Sequence, residues 1–164
     1  EQARRKQAML EAIREVQAGF IASGDPRATF GALLRFFLEH TESEYGFLGE
    51  VLRGPDGAPY VKTHAITNIA WSEPLRRFYA EYEPGGLEFH NLRTLFGAVL
   101  RTEQPVIAND AGALPERGGL PPGHPPLRAF LGLPLFHAGQ LVGILGAANR
   151  PGGYDEALAR QMEP

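Results

Sequence analysis

Hydrophobic and polar positions divide the chain into blocks of helix and strand length. The longest block without a charged residue is AFLGLPLFHAGQLVGILGAAN at 129–149, which is nominally long enough to cross a bilayer as a helix. The polar stretch HAGQ at 137–140 interrupts it with a turn signal and leaves an apolar run of strand length on each side. We therefore predict a β-hairpin rather than a membrane span, with both arms in the centre of a covered sheet.

Four residues within the two arms of this hairpin lack either a side chain or a backbone donor. Gly132, Gly143 and Gly146 allow a helix or a ligand to approach the sheet closely, and helix packing is the favoured alternative. Pro134 cannot donate a hydrogen bond to a neighbouring strand, which predicts that it lies at a bulge or at an unpaired position.

The first 23 residues have a strongly helical pattern. Met9, Ile13, Val16 and Phe20 recur at steps of four, three and four, with charged and amide side chains between them. This a/d stripe predicts that residues 1–23 form a connector helix that pairs with a second copy. A helix packed on its own domain is the alternative.

The break SGDP at 23–26 separates this helix from a single domain at 24–164, whose last helix is cut off by the end of the sequence. Helical periodicity predicts further helices at 26–41, 72–83, 91–104 and from about Tyr154 onward. Ser72 and Asn91 are the expected N-caps. Strand patterns occur at 45–52, 59–67 and 105–110 and in the two hairpin arms, with loops predicted at 83–91 and 111–127. Adjacent hairpins imply a largely antiparallel sheet with helices on both faces, an α+β or three-layer arrangement.

Composition excludes several classes of chemistry. The chain has no cysteine, which excludes disulfides, thiolate catalysis, thiolate zinc sites and thioether-linked chromophores, and which is consistent with the cytoplasm. The formal net charge of −3 does not favour a polyanionic partner such as nucleic acid. The opening residues EQARRKQAML show no signal-peptide pattern, so we expect a cytoplasmic piece of a longer protein that makes no membrane contact.

The sequence also lacks the motifs of common catalytic and cofactor sites. The glycine-rich ANRPGG at 148–153 does not have the Gly-Lys-Ser/Thr ending of a phosphate loop, and neither GxSxG nor HExxH occurs. We therefore predict no catalytic residue and no metal ligand, and the cofactor stays unassigned. A haem iron could take His90 or His124 from a loop, although a solvated or hydrogen-bonded histidine is the simpler alternative.

Two sequence blocks carry a family resemblance. The hairpin FLGLPLFHAGQLVGILGAANRPGGYDE, preceded by PPGHPPL, and the block LRTLFGAVLRTEQPVIAND resemble the GAF domain of bacterial signalling proteins over about 24–164. The resemblance implies a central antiparallel sheet of about six strands, with the terminal helices on one face, often as a dimer bundle. It also implies a ligand cavity on the other face. Such domains commonly precede histidine kinase, cyclic-di-nucleotide or transcription-activator modules.

One subset of that family binds cyclic nucleotides and carries an Asn-Lys…Phe…Asp-Glu signature. Asn149 and Arg150 match its start loosely, Tyr154 stands in place of the phenylalanine, and Asp155 and Glu156 match the acidic pair. The spacing is short and arginine replaces lysine, which disfavours cyclic-nucleotide binding. A local ion pair from Arg150 to Asp155 or Glu156 is the expected use of these residues.

The ligand cavity is expected between the segment 84–102, the proline loop 119–127 and the residues that follow the second strand. These segments combine apolar walls with a few polar groups, as a small-molecule site requires. The candidate ligand-binding residues are Trp71, Phe89, His90, Asn91, Leu95, Phe96, His124 and Phe130. Plain core packing is the alternative for Trp71, Phe96 and Phe130, and helix capping is the alternative for Asn91.

These observations lead to one main functional hypothesis and two alternatives. The main hypothesis is a non-catalytic sensory module that forms a homodimer through its terminal helices, takes an unidentified small molecule and acts on an output domain in the same chain. The first alternative is a ligand-free dimerisation spacer. The second is a free-standing enzyme such as a methionine sulfoxide reductase, which the absence of cysteine disfavours.

Overall fold

The structure is a computed structural model that describes residues 3–4, 7–8, 10–14, 18, 26–67, 73–82, 85–114 and 123–163. Six antiparallel strands form one sheet in the order β3-β2-β1-β6-β5-β4. The strands are β1 Tyr45–Arg53, β2 Pro59–Ile66, β3 Glu88–Phe89, β4 Val106–Ala108, β5 Phe130–His137 and β6 Gln140–Ala148. The helices of this domain are α1 Pro26–Thr41, α2 Glu73–Tyr82, α3 Leu95–Thr102 and α4 Glu156–Met162, with a 3-10 turn at Ala111–Ala113. The predicted α+β fold is confirmed.

The charge-free stretch forms the predicted hairpin of β5 and β6. Its turn is Ala138-Gly139, where both φ angles are positive, at 50° and 76°. Two positive φ values in a two-residue loop are typical of a type I′ turn, whose twist matches that of the strands on either side. Within the described ranges, no helix combines the length and the apolar character needed to cross a bilayer.

The predicted close approach of a helix to the hairpin glycines is found at Gly132 but not at Gly143 or Gly146. Pro134 lies beyond Gly132, the last β5 residue that pairs with β4, and just before a register shift. A Cβ built on Gly132 would lie 2.6 Å from Val99 Cγ2, so α3 packs directly on this glycine. Gly146 is instead approached by the ring of Phe47, a neighbour on β1.

One face of the sheet is covered by α1 and α4. Leu34 and Phe37 of α1 and Met162 of α4 are buried against Leu131 and Leu145 of the hairpin. Both helices therefore lie on the same face, as the family resemblance implied for the N-terminal and C-terminal helices. The helix α4 begins after Tyr154, because the side chain of Asp155 accepts a hydrogen bond from the backbone N–H of Leu158.

The opposite face is covered by α3, and here two predictions were wrong. The helix begins at Leu95 rather than near Asn91, because Thr94 Oγ1 caps it by accepting from the backbone N–H of Gly97 at 3.1 Å. Asn91 accepts from the backbone N–H of Arg93 and so closes a turn before the helix. The expected loop at 83–91 also contains β3, which pairs with β2.

The prediction of a dimerising first helix is largely outside the described residues. Residues 3–4, 7–8, 10–14 and 18 are helical where they are described. Ile13 is the described member of the stripe and is half-buried, whereas Met9, Val16 and Phe20 lie outside the described ranges. Ser72, the expected cap of α2, lies outside them as well.

Candidate functional site

Three phenylalanines from separate elements meet on the sheet face that α3 covers. The rings of Phe47 on β1 and Phe96 on α3 are 6.2 Å apart in an edge-to-face arrangement, and Phe89 on β3 lies 5.3 Å from Phe96. Each of the three is only half-buried. This phenylalanine cluster is therefore an apolar surface that remains partly open, which is the kind of wall that small-molecule sites use.

Leu95 and Phe130 lie deeper on the same face. Both are 6% exposed and pack with Ala108 and Ala111, while Phe47 and Phe96 contact this group from outside. Burial to this degree favours core packing for Leu95 and Phe130 and leaves the half-buried rings above them as the accessible surface.

The structure separates His90 from the phenylalanine cluster. Neighbouring residues of a strand point to opposite faces, and Phe89 pairs with Val61, which also packs on the α3 side. His90 stacks on Tyr60 with ring centroids 4.5 Å apart, and its Nε2 lies 3.2 Å from Glu88 Oε2. The histidine and Asn91 are both exposed. Of the predicted residues between 89 and 96, Phe89 and Phe96 therefore come together, and His90 lies apart.

Tyr45 and His124 lie beside this cluster, where Tyr45 is 7% exposed and belongs to the core, and His124 is half-buried against it. Their rings meet edge to face at 5.4 Å, and Tyr45 Oη donates to the carbonyl of Pro126 at 3.4 Å. Burial lowers the pKa of His124 below 6.5 and raises the pKa of Tyr45 to about 12, so both rings are neutral at neutral pH. Phe89 packs against the buried group of Tyr45 and Leu87 and also against the buried group of Val99 and Ile144. Phe89 therefore connects the phenylalanine cluster to Tyr45.

Sequence reasoning missed both Phe47 and Tyr45, although a signal that they share a face was present. Tyr45 lies two residues before Phe47 in a predicted strand, and residues two apart share a face. Trp71 and the loop residues 115–122 lie outside the described ranges, so their part in the predicted cavity stays a prediction.

Asn149 anchors the loop that carries His124. Its Oδ1 accepts from the backbone N–H groups of Arg128 and Ala129, and its Nδ2 donates to the carbonyl of Pro126 at 2.8 Å. The side chain is 3% exposed. The structure thus uses the asparagine of the cyclic-nucleotide signature for an internal hydrogen-bond network.

The predicted local ion pair of Arg150 was wrong. Arg150 Nη2 lies 3.7 Å from Glu42 Oε2, a partner that is distant in sequence. Asp155 is used as the cap of α4, and Glu156 pairs with Arg160 at 3.2 Å. Both acidic residues are therefore engaged by their own helix, which leaves Arg150 to bind the residue that follows α1.

The phenylalanine cluster provides apolar contact, and the neighbouring Tyr45 and His124 carry hydrogen-bonding groups. Tyr45 and His124 both bond to backbone carbonyls. No three His, Asp or Glu side chains converge as a metal site anywhere in the part of the chain that the structure describes. The half-buried phenylalanine rings offer apolar contact, with the hydrogen-bonded rings of Tyr45 and His124 beside them.

Comparisons with known proteins place this geometry in context. Over 69 residues, 42% of this chain, the sequence is 35% identical to a methyl sulfide methyltransferase-associated sensor of Methanosarcina acetivorans, and the match spans 7% of that sensor. The GAF domain from a phosphoenolpyruvate-protein phosphotransferase of Coxiella burnetii superposes with a TM-score of 0.68 at 19% identity, over 95% of this chain and 86% of that one. The free methionine-R-sulfoxide reductase of Neisseria meningitidis, in complex with its substrate, superposes with a TM-score of 0.61 at 14% identity, over 96% and 87%. At such identities the two solved structures show a shared fold alone.

The family model of the GAF domain matches residues 7–164, which is nearly the whole chain. The six-stranded antiparallel sheet with helices on both faces agrees with that match. This chain therefore belongs to the GAF domain family.

Proposed function

We propose that this chain is a non-catalytic sensory module that binds a small molecule beside the phenylalanine cluster and passes the signal to an output domain of a longer protein. The observation that carries the proposal is the half-buried contact of Phe47, Phe89 and Phe96, with the neutral rings of Tyr45 and His124 alongside. A few hydrogen-bonding groups next to an open apolar wall are the usual composition of a ligand site.

The layout of the sheet gives a route for the signal. The phenylalanine cluster lies on one face, while α1 and α4 pack on the other face against Leu131 and Leu145. A ligand that binds one arrangement of the covering loops more tightly shifts the population toward that arrangement, and the helices on the opposite face then respond. The similarity to a sensor from Methanosarcina acetivorans supports this role.

The wider context is also part of the proposal. We infer a cytoplasmic homodimer joined through its terminal helices, with a histidine kinase of a two-component system or a cyclic-di-nucleotide enzyme as the output. The a/d stripe that includes Ile13 supports the dimer. The absence of cysteine supports the cytoplasm and argues against the thiol chemistry of a sulfoxide reductase.

Native mass spectrometry of gently purified protein tests the sensor role, because one spectrum gives the subunit count and any retained small molecule. We expect a mass above that of the protein alone. Phe96→Ala and His124→Ala should lose the extra mass, while Phe136→Ala, at the exposed end of the hairpin, should keep it. A retained molecule that survives both substitutions beside the phenylalanine cluster would contradict the proposed site.

One observation favours a second candidate function, that of a ligand-free spacer. The same three rings contact one another at 5.3 to 6.2 Å, so they also fill part of the space that a ligand would occupy. A dimer with no extra mass, whose melting temperature does not change with any added metabolite extract, would favour this alternative.

A further inference from the structure

A cleft lies on the sheet face opposite the phenylalanine cluster. It encloses about 730 Å³ between one side of α1, the second half of β2 and the Gly85-Gly86 turn that follows α2. This volume is in the range of small-molecule sites. Among the described residues, none of those predicted from the sequence to bind a ligand lines this α1–β2 cleft, and Trp71 lies outside the described ranges.

The cleft combines an apolar floor with two cationic side chains. Leu34 and Leu38 of α1 and Ala65 of β2 form the floor. Arg35 and Lys62 line it from opposite elements. This pattern suits a molecule that has an apolar body and one acidic group.

Each of the two cationic side chains passes close to a glycine that lines the cleft. Arg35 Nη1 lies 3.8 Å from the point where a Cβ on Gly31 would stand, one turn earlier in α1. Lys62 runs across Gly86, with its Cε 3.3 Å from the corresponding point. Side chains at both glycines would occupy space that the cations and the cleft now use.

Neither cation has a close partner among the described residues, although Glu50 lies directly opposite Lys62 on β1. Arg35 and Lys62 have no hydrogen bond or ion pair to any residue in those ranges, whereas the nearby Glu50 is bonded to His64, with Oε2 2.8 Å from Nε2. A carboxylate placed between two cations gains charge-assisted hydrogen bonds, which are stronger than neutral ones.

We propose that the α1–β2 cleft binds a free amphipathic carboxylate, with the acidic group on Arg35 and Lys62 and the apolar chain on Leu34, Leu38 and Ala65. This site is separate from the phenylalanine cluster. Because it includes the side of α1, a ligand here acts directly on a helix that leads from the connector into the domain.

The first test is a titration of the full chain followed by amide NMR, with octanoate as the probe. Octan-1-ol supplies the same chain without the charge, and acetate supplies the charge without the chain. We expect octanoate to shift amides at 31–38 and 62–67, octanol to bind at least about 5-fold more weakly, and acetate to cause no saturable shift. Equal binding of octanoate and octanol, or shifts confined to other regions, would overturn the proposal.

Substitutions of the two cations then distinguish the contribution of their charge from that of the apolar floor of the cleft. Arg35→Gln and Lys62→Gln should each weaken octanoate binding about 3- to 10-fold and leave octanol binding unchanged. Arg77→Gln, an exposed position on α2, is the matched control and should have no effect. An equal loss in the control, or no loss in either cleft variant, would overturn the role of the two cations.

Gly31→Leu blocks the cleft from a helical position. Among the described residues, only Arg35 Nη1 lies within 4 Å of the new Cβ, and leucine is a better helix former than glycine, so this variant should melt at a higher temperature than the parent. We expect it to lose binding of octanoate and octanol together. Undiminished octanoate binding in this variant would show that the ligand lies elsewhere and would overturn the proposal.

Discussion

Asn149 and Glu44 are 105 residues apart in sequence, yet Asn149 Nδ2 donates a hydrogen bond to Glu44 Oε2 at 3.0 Å. Glu44 also pairs with Arg128 at 2.6 Å. Asn149 follows β6 and Glu44 precedes β1, so this contact joins the ends of two central strands to the loop that carries His124. The φ of Asn149 is 61°, in the left-handed region that asparagine tolerates better than most residues.

We predict that Asn149→Ala lowers the free energy of unfolding by about 2–4 kcal/mol. The substitution leaves the buried N–H groups of Arg128 and Ala129 without an acceptor, and it also places alanine in the left-handed region. Urea unfolding of the parent and the variant measures the difference. A loss of less than about 0.5 kcal/mol, the range of a neutral surface substitution, would contradict the anchoring role.

Asn149→Asp tests the polarity of the same contact. Aspartate keeps the acceptor for the two N–H groups but replaces the donor that faces Glu44 with a second carboxylate oxygen. We therefore expect this variant to have a lower free energy of unfolding as well. Glu44→Gln should restore part of the stability of Asn149→Asp, because glutamine can donate to the new carboxylate. Strictly additive effects in the double variant would contradict a direct contact.

A second prediction concerns the close approach of α3 to the hairpin. Gly132→Ala should lower the free energy of unfolding by about 1–3 kcal/mol, because its Cβ would lie 2.6 Å from Val99 Cγ2. Val99→Ala should remove only part of this penalty when the two substitutions are combined, because the same Cβ would also lie 2.8 Å from Phe130 Cε1. Gly31→Ala is the control, since its Cβ would make an ordinary contact with Arg35 at 3.8 Å and the helical backbone there predicts a gain of about 0.5–1 kcal/mol. If Gly132→Ala is neutral in urea unfolding, α3 does not pack as described.

The fold was predictable where its signals are local. The hairpin was identified from its uncharged arms and the Gly139 turn, and the bounds of α1 follow from helical periodicity. β3 was missed because two residues within a glycine-containing loop carry no periodicity. That omission also misplaced His90, since its face depends on the alternation that β3 imposes after Phe89.

Contacts between distant elements could not be predicted in the same way. Asn91 and Thr94 are both good capping residues, and in the structure Thr94 is the N-cap of the helix that begins at Leu95, where Gly97 lies close to the Leu92 carbonyl. The pairing of Arg150 with Glu42 likewise depends on how the end of α1 meets the turn after β6. No sequence pattern indicates the α1–β2 cleft, because its lining residues on α1 and β2 are distant in sequence and come together only in the fold.

A third prediction follows from the burial of His124, which lowers its pKa from 6.5. The unfolded chain takes up a proton on this ring at a higher pH than the folded chain does. The stability that neutral His124 contributes is therefore complete above about pH 6.5 and is lost as the pH falls through the lower folded pKa. Urea unfolding between pH 7.5 and 5 should show a smaller fall for His124→Gln than for the parent.

The control for this profile is His137→Gln, which removes an exposed histidine at the end of β5. It should leave the pH dependence of the parent unchanged. Parallel profiles for the parent and His124→Gln would show that this loop does not bury the ring.

The last prediction tests the proposed dimer. Ile13 and Val16 lie on the a/d stripe, so Ile13→Glu combined with Val16→Glu places two charges per chain in the interface, where they repel their copies and lose hydration. Sedimentation should show that the mass falls to that of one chain, 17.9 kDa. Leu10→Glu combined with Ala18→Glu adds the same charge at exposed positions of this helix and should leave the dimer intact. An unchanged mass in the stripe variant would place the interface elsewhere, and dissociation of both variants would attribute the effect to net charge.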